Sequence, residues 1–289
     1  MAAVPSNIES PAQVATRLTG LAVTGQGPAG TLTEVTLAGG DVVLVKRGSG
    51  PNAVRAEAAG LHWLAESGAV RIPTVRGHDA DWLVIDRVAT TAPTVAAAET
   101  LGRELAALHT AGAPAFGAPP PDGPVEAFIG PLPMTNVAGA DWPQWYASQR
   151  VLPYLRSVLD MGIVTADEAA TIERAGDRLP QLVPPQERPA RLHGDLWNGN
   201  VLWGVDGNPW LIDPAAHGGH PETDLAMLHL FGCPHLDRVL AGYQEVAPLA
   251  DGWADRIGLH QLFPLLVHAI QYGRGYAKQA LDVARAALR

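Results

Sequence analysis

The feature of this sequence that most constrains its fold is a loop motif at residues 192–200, followed by a further acidic residue. Leu-His-Gly-Asp-Leu-Trp-Asn-Gly-Asn places Asp195 and Asn200 five positions apart in a glycine-containing loop. Two short apolar runs, separated by a turn at 206–208, then lead to Asp213. This pattern predicts a β-hairpin that returns Asp213 to the loop, and it is far more specific than an isolated glycine motif.

The residues of this motif are those that phosphoryl transfer requires. A carboxylate must accept the proton of an attacking hydroxyl group, and we predict that Asp195 is this base. An amide oxygen and a second carboxylate must hold a metal ion on the phosphates, and we predict Asn200 and Asp213 for this role. Because Mg²⁺ prefers oxygen ligands and usually keeps several waters, two protein ligands suffice. The sequence therefore predicts ATP and Mg²⁺ as cofactors.

Residues 1–88 are predicted to form a small, mostly antiparallel N-terminal lobe that binds the nucleotide. Alternating apolar residues predict strands, and apolar residues at helical spacing predict one main helix. The predicted strands lie within 13–46 and around 74–76 and 82–85, and the predicted helix spans 52–67.

Two parts of this lobe are expected to contact the nucleotide. Lys46 ends a predicted strand and Glu57 lies on the helix, and such a pair positions phosphates in enzymes of this type. Asp86 and Val88 lie where the lobes join, and backbone groups there are expected to contact adenine. The segment Gly25–Gly30 is either a phosphate-covering loop or simply a flexible hairpin tip.

Residues 89–289 are predicted to form a larger, mainly helical lobe that carries the catalytic and acceptor sites. Helices are expected at 95–110, 145–160 and 166–179, and loops at 111–133, 119–121 and 184–185. The predicted fold class is therefore α+β, with two lobes.

Composition limits the partners of the chain. A net charge of −9 argues against a duplex nucleic acid. No basic segment followed by an apolar run opens the sequence, and no stretch of about 18 apolar residues follows, so neither a signal peptide nor a membrane span is predicted. The single cysteine, Cys233, excludes an intrachain disulfide, and we predict a cytoplasmic location.

These residues resemble the fructosamine kinase (ketosamine 3-kinase) family, within the aminoglycoside phosphotransferase and choline kinase group. The matching stretches are His193–Asn200, Asp213–Ala215 and Glu222–Met227. Trp197, inside the loop, distinguishes this family from its relatives. The resemblance implies a protein-kinase-like fold and ATP-dependent phosphorylation of the sugar hydroxyl of ketosamines, either small molecules or glycated protein lysines. The phosphorylated adduct then falls apart and restores the amine.

The resemblance also implies roles for individual residues. It assigns Asp195 as base, Asn200 and Asp213 to the metal, and Lys46 to the phosphates. Asp224 is expected to brace the catalytic loop by accepting backbone hydrogen bonds, and a histidine directly before Gly-Asp, here His193, usually braces it too. The substrate-binding candidates are Trp197, Asn136 and Trp142.

Two other functions stay open. The first is a kinase for another hydroxylated small molecule, such as an aminoglycoside, a choline-like amine or a sugar. The second is a nucleotide-binding pseudoenzyme, suggested by the irregular Gly25–Gly30 segment and by Met134, where the family usually has a glutamine. Because Asp213-Pro214 lacks a following Phe-Gly, and no Ala-Pro-Glu closes an activation segment, a protein kinase is not expected.

Overall fold

The structure is a computed structural model that describes residues 9–182 and 188–289. The predicted loop at 184–185 and the first eight residues lie outside these ranges. The helices are α1 (Pro11–Thr19), α2 (Ala53–Glu66), α3 (Val95–Thr110), α4 (Trp142–Tyr146), α5 (Leu152–Asp160), α6 (Ala166–Asp177), α7 (Leu179–Leu182), α8 (Pro221–Phe231), α9 (Leu236–Val246), α10 (Trp253–Tyr272) and α11 (Arg274–Ala287).

The strands form one large sheet and three small ones. The large sheet is antiparallel and five-stranded, with the order β1-β2-β3-β5-β4, and the pairs β6–β7, β8–β11 and β9–β10 are also antiparallel. The strands are β1 (Val23–Ala29), β2 (Leu32–Leu37), β3 (Val42–Arg47), β4 (Val75–His78), β5 (Trp82–Asp86), β6 (Glu126–Ile129), β7 (Leu132–Thr135), β8 (Ala190–Leu192), β9 (Val201–Trp203), β10 (Pro209–Leu211) and β11 (His217–Gly219).

Strand β3 shows how the large sheet separates a core face from a functional face. Successive side chains of a strand point to opposite faces. Val43 and Val45 pack in a buried cluster with Val14 of α1. Leu44 packs against a second cluster that includes residues of α2. Lys46 shares this second face, so its ammonium group points towards α2.

Helix α1 corrects the prediction that residues 13–46 form strands throughout. Ser10 accepts a hydrogen bond from the backbone N–H of Gln13, whose side chain accepts one in return from the backbone N–H of Ser10, and Pro11 occupies the first turn. Gly20 ends the helix in the left-handed conformation. A capping box with proline at the start and glycine at the end is a sequence signal for a helix. These end signals explain why so short a segment is helical.

Strand β1 corrects the prediction of a loop at Gly25–Gly30. Residues 25–29 pair with β2 from Gly25 opposite Thr36 to Ala29 opposite Leu32. The turn is confined to Gly30 and Thr31. Pro28 is tolerated because β1 is an edge strand, where a missing backbone donor disrupts no ladder.

Two further segments of the larger lobe differ from the sequence prediction. The predicted loop at 111–133 contains β6 and the beginning of β7. The predicted helix at 145–160 is interrupted by a π-helical turn at Ala147–Val151. Pro153 has no N–H to donate to the carbonyl group of Gln149, which explains why the regular α-helical bonding is lost there.

One apolar core extends across both predicted lobes. Trp63 and Leu64, at the end of α2, belong to one buried cluster with Leu101 of α3 and Leu211 of β10. The division at residue 88 remains a prediction. No helix in the described ranges is long and apolar enough to cross a lipid bilayer.

Candidate active site

A cavity of about 420 Å³ lies where α2, the loop after β8, the end of the β9–β10 hairpin and helix α10 meet. We call it the cleft. It brings together five of the polar residues predicted for the site, and Trp197 also lines it. The five are Lys46, Glu57, Asp195, Asn200 and Asp213. The hairpin thus returns Asp213 to the loop, as its sequence pattern predicts.

Lys46 is held between two carboxylates. Its Nζ lies 2.8 Å from Glu57 Oε2 and 2.9 Å from Asp213 Oδ1, although Lys46 and Asp213 are 167 positions apart in the chain. Burial disfavours the charged ammonium group, but the two carboxylates outweigh burial and raise its pKa. The side chain is therefore a fixed cation in the cleft, suitable for an anionic ligand.

Asp195 is joined to Asn200 across the loop. Asn200 Nδ2 donates to the backbone oxygen of Asp195 at 2.8 Å and to its Oδ2 at 3.2 Å. Burial raises the pKa of the Asp195 carboxyl to about 7, although the hydrogen bond from Asn200 opposes the change. A carboxylate with such a pKa can accept a proton from a hydroxyl group and release it again.

The oxygen atoms near Asp195 fit a Mg²⁺ ion. Because the Asn200 amide nitrogen binds the Asp195 oxygens, its Oδ1 is available as a ligand. Asp213 presents a carboxylate whose side chain is 43% exposed, with only Oδ1 bound to Lys46. An amide oxygen and a carboxylate are hard ligands of the kind that Mg²⁺ prefers.

The backbone at Asp213 is unusual. Its φ is +51°, which is sterically unfavourable for a residue with a side chain and especially before a proline. Such conformations persist where surrounding structure imposes them, and they cluster at functional sites. Here the conformation accompanies the contact of Asp213 with Lys46.

Asp224, near the beginning of α8, holds the loop that carries Asp195. Its Oδ2 accepts from the backbone N–H of His193 at 2.8 Å, and its Oδ1 accepts from that of Gly194 at 2.9 Å. His193 adds a second link, since its Nε2 lies 2.9 Å from the carbonyl oxygen of Ile212. The contacts of both residues agree with the bracing that the sequence predicts.

Gly194 is required by this arrangement. Its φ is +83°, and a Cβ added there would lie 2.1 Å from the backbone oxygen of Ala215. Only glycine fits between His193 and Asp195 without displacing this backbone.

Two buried clusters support the loop, and sequence analysis did not identify either. His109 Nε2 lies 3.2 Å from Asp224 Oδ2, and its Nδ1 lies 2.8 Å from the hydroxyl group of Tyr243. Glu222 receives hydrogen bonds from Arg256 Nε at 2.9 Å and lies 3.1 Å from His260 Nε2. Burial disfavours the Glu222 carboxylate, but these partners hold its pKa at about 2.

His220, Glu222 and His260 together have the spacing of a metal site. Arg256 binds both oxygens of Glu222, and His260 contacts Thr223 and Glu222. His220 Nδ1 accepts a hydrogen bond from the backbone N–H of Glu222. We therefore interpret the cluster as structural. It anchors the beginning of α8, from which Asp224 reaches the catalytic loop.

An aromatic surface borders the cleft on the side of α10. Trp197 is 41% exposed and contacts Phe231, which in turn packs on His268. His268 and Tyr272 line the cleft together with Trp197. The only sequence signal for this surface is that His268 and Tyr272 lie four residues apart on one helix. This spacing by itself does not distinguish a binding site from core.

Trp142 and Asn136, which were expected to bind the acceptor, do not line the cleft, and neither does Met134. Trp142 is 2% exposed and stacks on Tyr146, with ring centroids 4.7 Å apart. Asn136 is 1% exposed and accepts a hydrogen bond from Arg150. Met134 is equally buried, within the core of the larger lobe. The prediction that Trp142 and Asn136 bind substrate directly is therefore wrong for this conformation, because other side chains cover them.

Asp86 and Val88 line a separate cavity of about 380 Å³ next to the β9–β10 turn. The Asp86 carboxylate binds Arg76 at 2.6 Å, and the backbone N–H of Asp86 donates to Thr74. A contact between this segment and adenine remains a prediction.

The fold and the site define the class of the protein as a phosphotransferase of the kinase-like fold. A macrolide 2′-phosphotransferase type I superposes with a TM-score of 0.64 over 98% of both chains, at 18% identity, which shows the shared fold. The fructosamine kinase family model matches residues 37–289. The chain belongs to this family.

Individual relatives agree with this assignment. A Thermus thermophilus protein named probable ketoamine kinase is 34% identical over 87% of this chain and 90% of its own. The chloroplastic protein-ribulosamine 3-kinase of Arabidopsis thaliana is 28% identical over 86% of this chain and 76% of its own. The crystal structure of a candidate fructosamine-3-kinase from Thermobifida fusca has a TM-score of 0.91 and 48% identity, over 98% of this chain and 100% of its own.

Proposed function

We propose that this protein is an ATP-dependent ketosamine kinase that transfers the γ-phosphoryl group to a sugar hydroxyl of its substrate. The observation that carries the proposal is that Lys46, Asp195, Asn200 and Asp213 line one cleft beside the exposed ring of Trp197. Membership of the fructosamine kinase family, and the activities in the names of its relatives, point to a ketosamine as the acceptor.

Each residue of the cleft has a proposed part in the reaction. Asp195 takes the proton of the sugar hydroxyl as that oxygen forms its bond to the γ-phosphorus. The bond from phosphorus to the bridging oxygen breaks, and ADP leaves. Lys46 holds the phosphates, while Asn200 and Asp213 would hold Mg²⁺, which would supply positive charge to the phosphates. Trp197 lines the sugar subsite.

We further propose that the product breaks down and releases the original amine, so that the enzyme takes part in deglycation. We also propose a cytoplasmic location, where ATP is available and the thiol of Cys233 would stay reduced.

A coupled ADP-release assay with Mg²⁺ and ATP tests the proposal. The acceptors are the ribulosamine and the fructosamine of lysine, with an aminoglycoside as the comparison. We expect ADP release with a ketosamine and not with the aminoglycoside, and phosphate on the sugar by mass spectrometry. Release with the aminoglycoside alone would overturn the proposed acceptor.

The relatives do not favour the other functions. An aminoglycoside phosphotransferase from Alicyclobacillus acidocaldarius is 16% identical to this chain, and a likeness at that identity supports a shared fold but not a shared acceptor. A pseudoenzyme would bind ATP without turnover, so the absence of ADP release in this assay, together with ATP binding measured by calorimetry, would indicate that outcome.

A further inference from the structure

One arginine of the larger lobe is buried without a carboxylate. Arg150 is 1% exposed, and it forms no salt bridge within residues 9–182 and 188–289. Its guanidinium lies 4.5 Å from the ring centroid of Trp145 and 5.6 Å from that of Phe263. Burial lowers its pKa to about 10, so the group is still charged at neutral pH. Burying a charge without a counter-ion is unfavourable, so the burial of Arg150 points to a role other than stabilising the fold.

Arg150 fastens the β6–β7 hairpin. Its Nη1 donates to the backbone oxygen of Thr135 at 2.8 Å, and its Nη2 donates to Asn136 Oδ1 at 2.6 Å. Both acceptors lie at the end of β7, where Thr135 pairs with Glu126 of β6. Tyr154 adds a weaker link, since its hydroxyl group donates to the backbone oxygen of Pro133 at 2.6 Å.

The same hairpin forms a wall of the cleft. Residues 127–129 of β6 and the turn at 130–131 line the same cavity as Asp195. A Cβ added to Gly130 would lie 4.0 Å from the side-chain nitrogen of Gln271 on α10. The hairpin therefore meets the helical side of the cleft, whereas the predicted adenine-binding segment borders a separate cavity. This is the side on which the acceptor, rather than adenine, would bind.

The π-helical turn explains how Arg150 reaches the hairpin. A π-turn inserts a residue into a helix and changes the direction of the side chains within it, and such turns are frequent at functional sites. Arg150 belongs to the turn at Ala147–Val151, and its planar guanidinium can bind two acceptors at once. A lysine would offer a single point charge there.

We infer that Arg150 is a positioning residue that fixes the β6–β7 wall and thereby determines which sugars the acceptor subsite admits; the inference rests on the proposed ketosamine kinase activity. Asn136 acts with Arg150, as the acceptor of its second hydrogen bond. A wall displaced by about 1 Å can reduce kcat/KM about 10²-fold, because the sugar is no longer bound in the productive position.

The test compares Arg150→Met and Arg150→Lys with Asn136→Asp and Tyr154→Phe. We expect Arg150→Met to raise KM for a ribulosamine about tenfold or more and to change the ratio of kcat/KM between ribulosamine and fructosamine, with KM for ATP within about twofold. Arg150→Lys should be intermediate. Asn136→Asp should retain wild-type selectivity, because a carboxylate can accept the same hydrogen bond. Unchanged KM and selectivity in Arg150→Met would overturn the inference.

A second measurement does not depend on the acceptor. Hydrogen exchange of the backbone amides at 126–135 should be faster in Arg150→Met, while amides at 190–196 keep wild-type rates. If the wild type phosphorylates no ketosamine, the proposed function fails, and exchange alone decides whether Arg150 fixes the wall. If Arg150→Met does not fold, Asn136→Ala removes one of the two hydrogen bonds and should show the same changes at smaller size. Wild-type exchange in the folded variant would contradict the inference.

Discussion

Two walls of the cleft are each held by one buried charge, and the charges have opposite sign. Asp224, which is 0% exposed, accepts backbone hydrogen bonds at the beginning of the catalytic loop. Arg150 donates to oxygens at the end of the β6–β7 hairpin. An anion is suited to collect N–H groups, and a cation is suited to collect carbonyl groups.

The two charges differ in how well they are compensated. Burial disfavours the charged form of Asp224, but hydrogen bonds from His109 and the loop backbone lower its pKa. Among the residues that the structure describes, Arg150 has only neutral oxygens and aromatic rings as partners, so burial lowers its pKa instead. The catalytic loop is therefore the more firmly held wall. The hairpin is the wall whose position a mutation can alter most readily.

The largest expected effect comes from changing Asp195, which lies on the catalytic loop, the more firmly held of the two walls. Asp195→Asn removes the proposed base, and turnover should fall about 10²- to 10⁴-fold. ATP affinity, measured by calorimetry, should remain close to wild type. The free energy of unfolding should not fall, because burial already disfavours the carboxylate. Turnover near the wild-type rate would refute Asp195 as the base.

The next largest effect distinguishes the role of Asp224 from that of Arg150. Asp224→Asn leaves one of two buried N–H groups without an acceptor, which should cost about 3 kcal/mol in the free energy of unfolding. We expect kcat to fall with little change in KM for the acceptor, opposite to Arg150→Met. Urea unfolding and steady-state kinetics on both variants measure this contrast. If both variants changed the same kinetic constant, the two walls would not act independently.

Acid should weaken the packing around both walls. His217 is fully buried, and burial, with a contribution from the charge of Arg150, lowers its pKa to about 3. Since the unfolded chain binds a proton near pH 6.5 and the folded chain does not, stability is complete above pH 6.5 and is lost as pH falls towards 3. One histidine with this shift should lower the free energy of unfolding by about 2 kcal/mol between pH 7 and pH 5.

The histidine prediction is checked by urea unfolding at pH 7, 6 and 5. In His217→Gln, the loss of unfolding free energy between pH 7 and pH 5 should be smaller by about 2 kcal/mol, which is the contribution of one histidine. A slope identical to that of the wild type would show that folding does not lower the pKa of His217.

The smallest effect concerns the weaker link to the hairpin. Tyr154→Phe removes one hydrogen bond to Pro133 and should cost about 1 kcal/mol in the free energy of unfolding. Selectivity between ribulosamine and fructosamine should stay at the wild-type value, because Arg150 still fixes the end of β7. A selectivity change as large as that of Arg150→Met would move the positioning role to Tyr154.

Much of the fold could be predicted from local patterns. The alternation in β2 and β3, the amphipathic α2 and the hairpin before Asp213 were all expected from residue spacing. Helix α1 was missed although Ser10, Pro11 and Gly20 carry its signals. The β6–β7 hairpin was missed because Pro131 and Pro133 argue for a loop, and prolines are tolerated only because β7 is an edge strand.

The site was predictable where its residues are close in sequence. Asp195, Asn200 and the bracing His193 belong to one loop, in which short-range backbone geometry sets the distances. Trp142 and Asn136 were predicted to line the acceptor site, but they are buried in the core. An aromatic or amide side chain in this part of the sequence is compatible with either position. Nothing in the residue pattern distinguishes the two until the packing is known.

The sequence by itself determined the chemistry: a loop with Asp195 and Asn200, a hairpin ending in Asp213, and a strand ending in Lys46. Only the tertiary structure decided that Lys46 lies 2.9 Å from Asp213 and that Arg150 holds the opposite wall. The reason is physical. Spacing along a chain sets the geometry of neighbouring residues, whereas contacts between distant residues depend on how whole elements pack, and each buried charge must find its partners there.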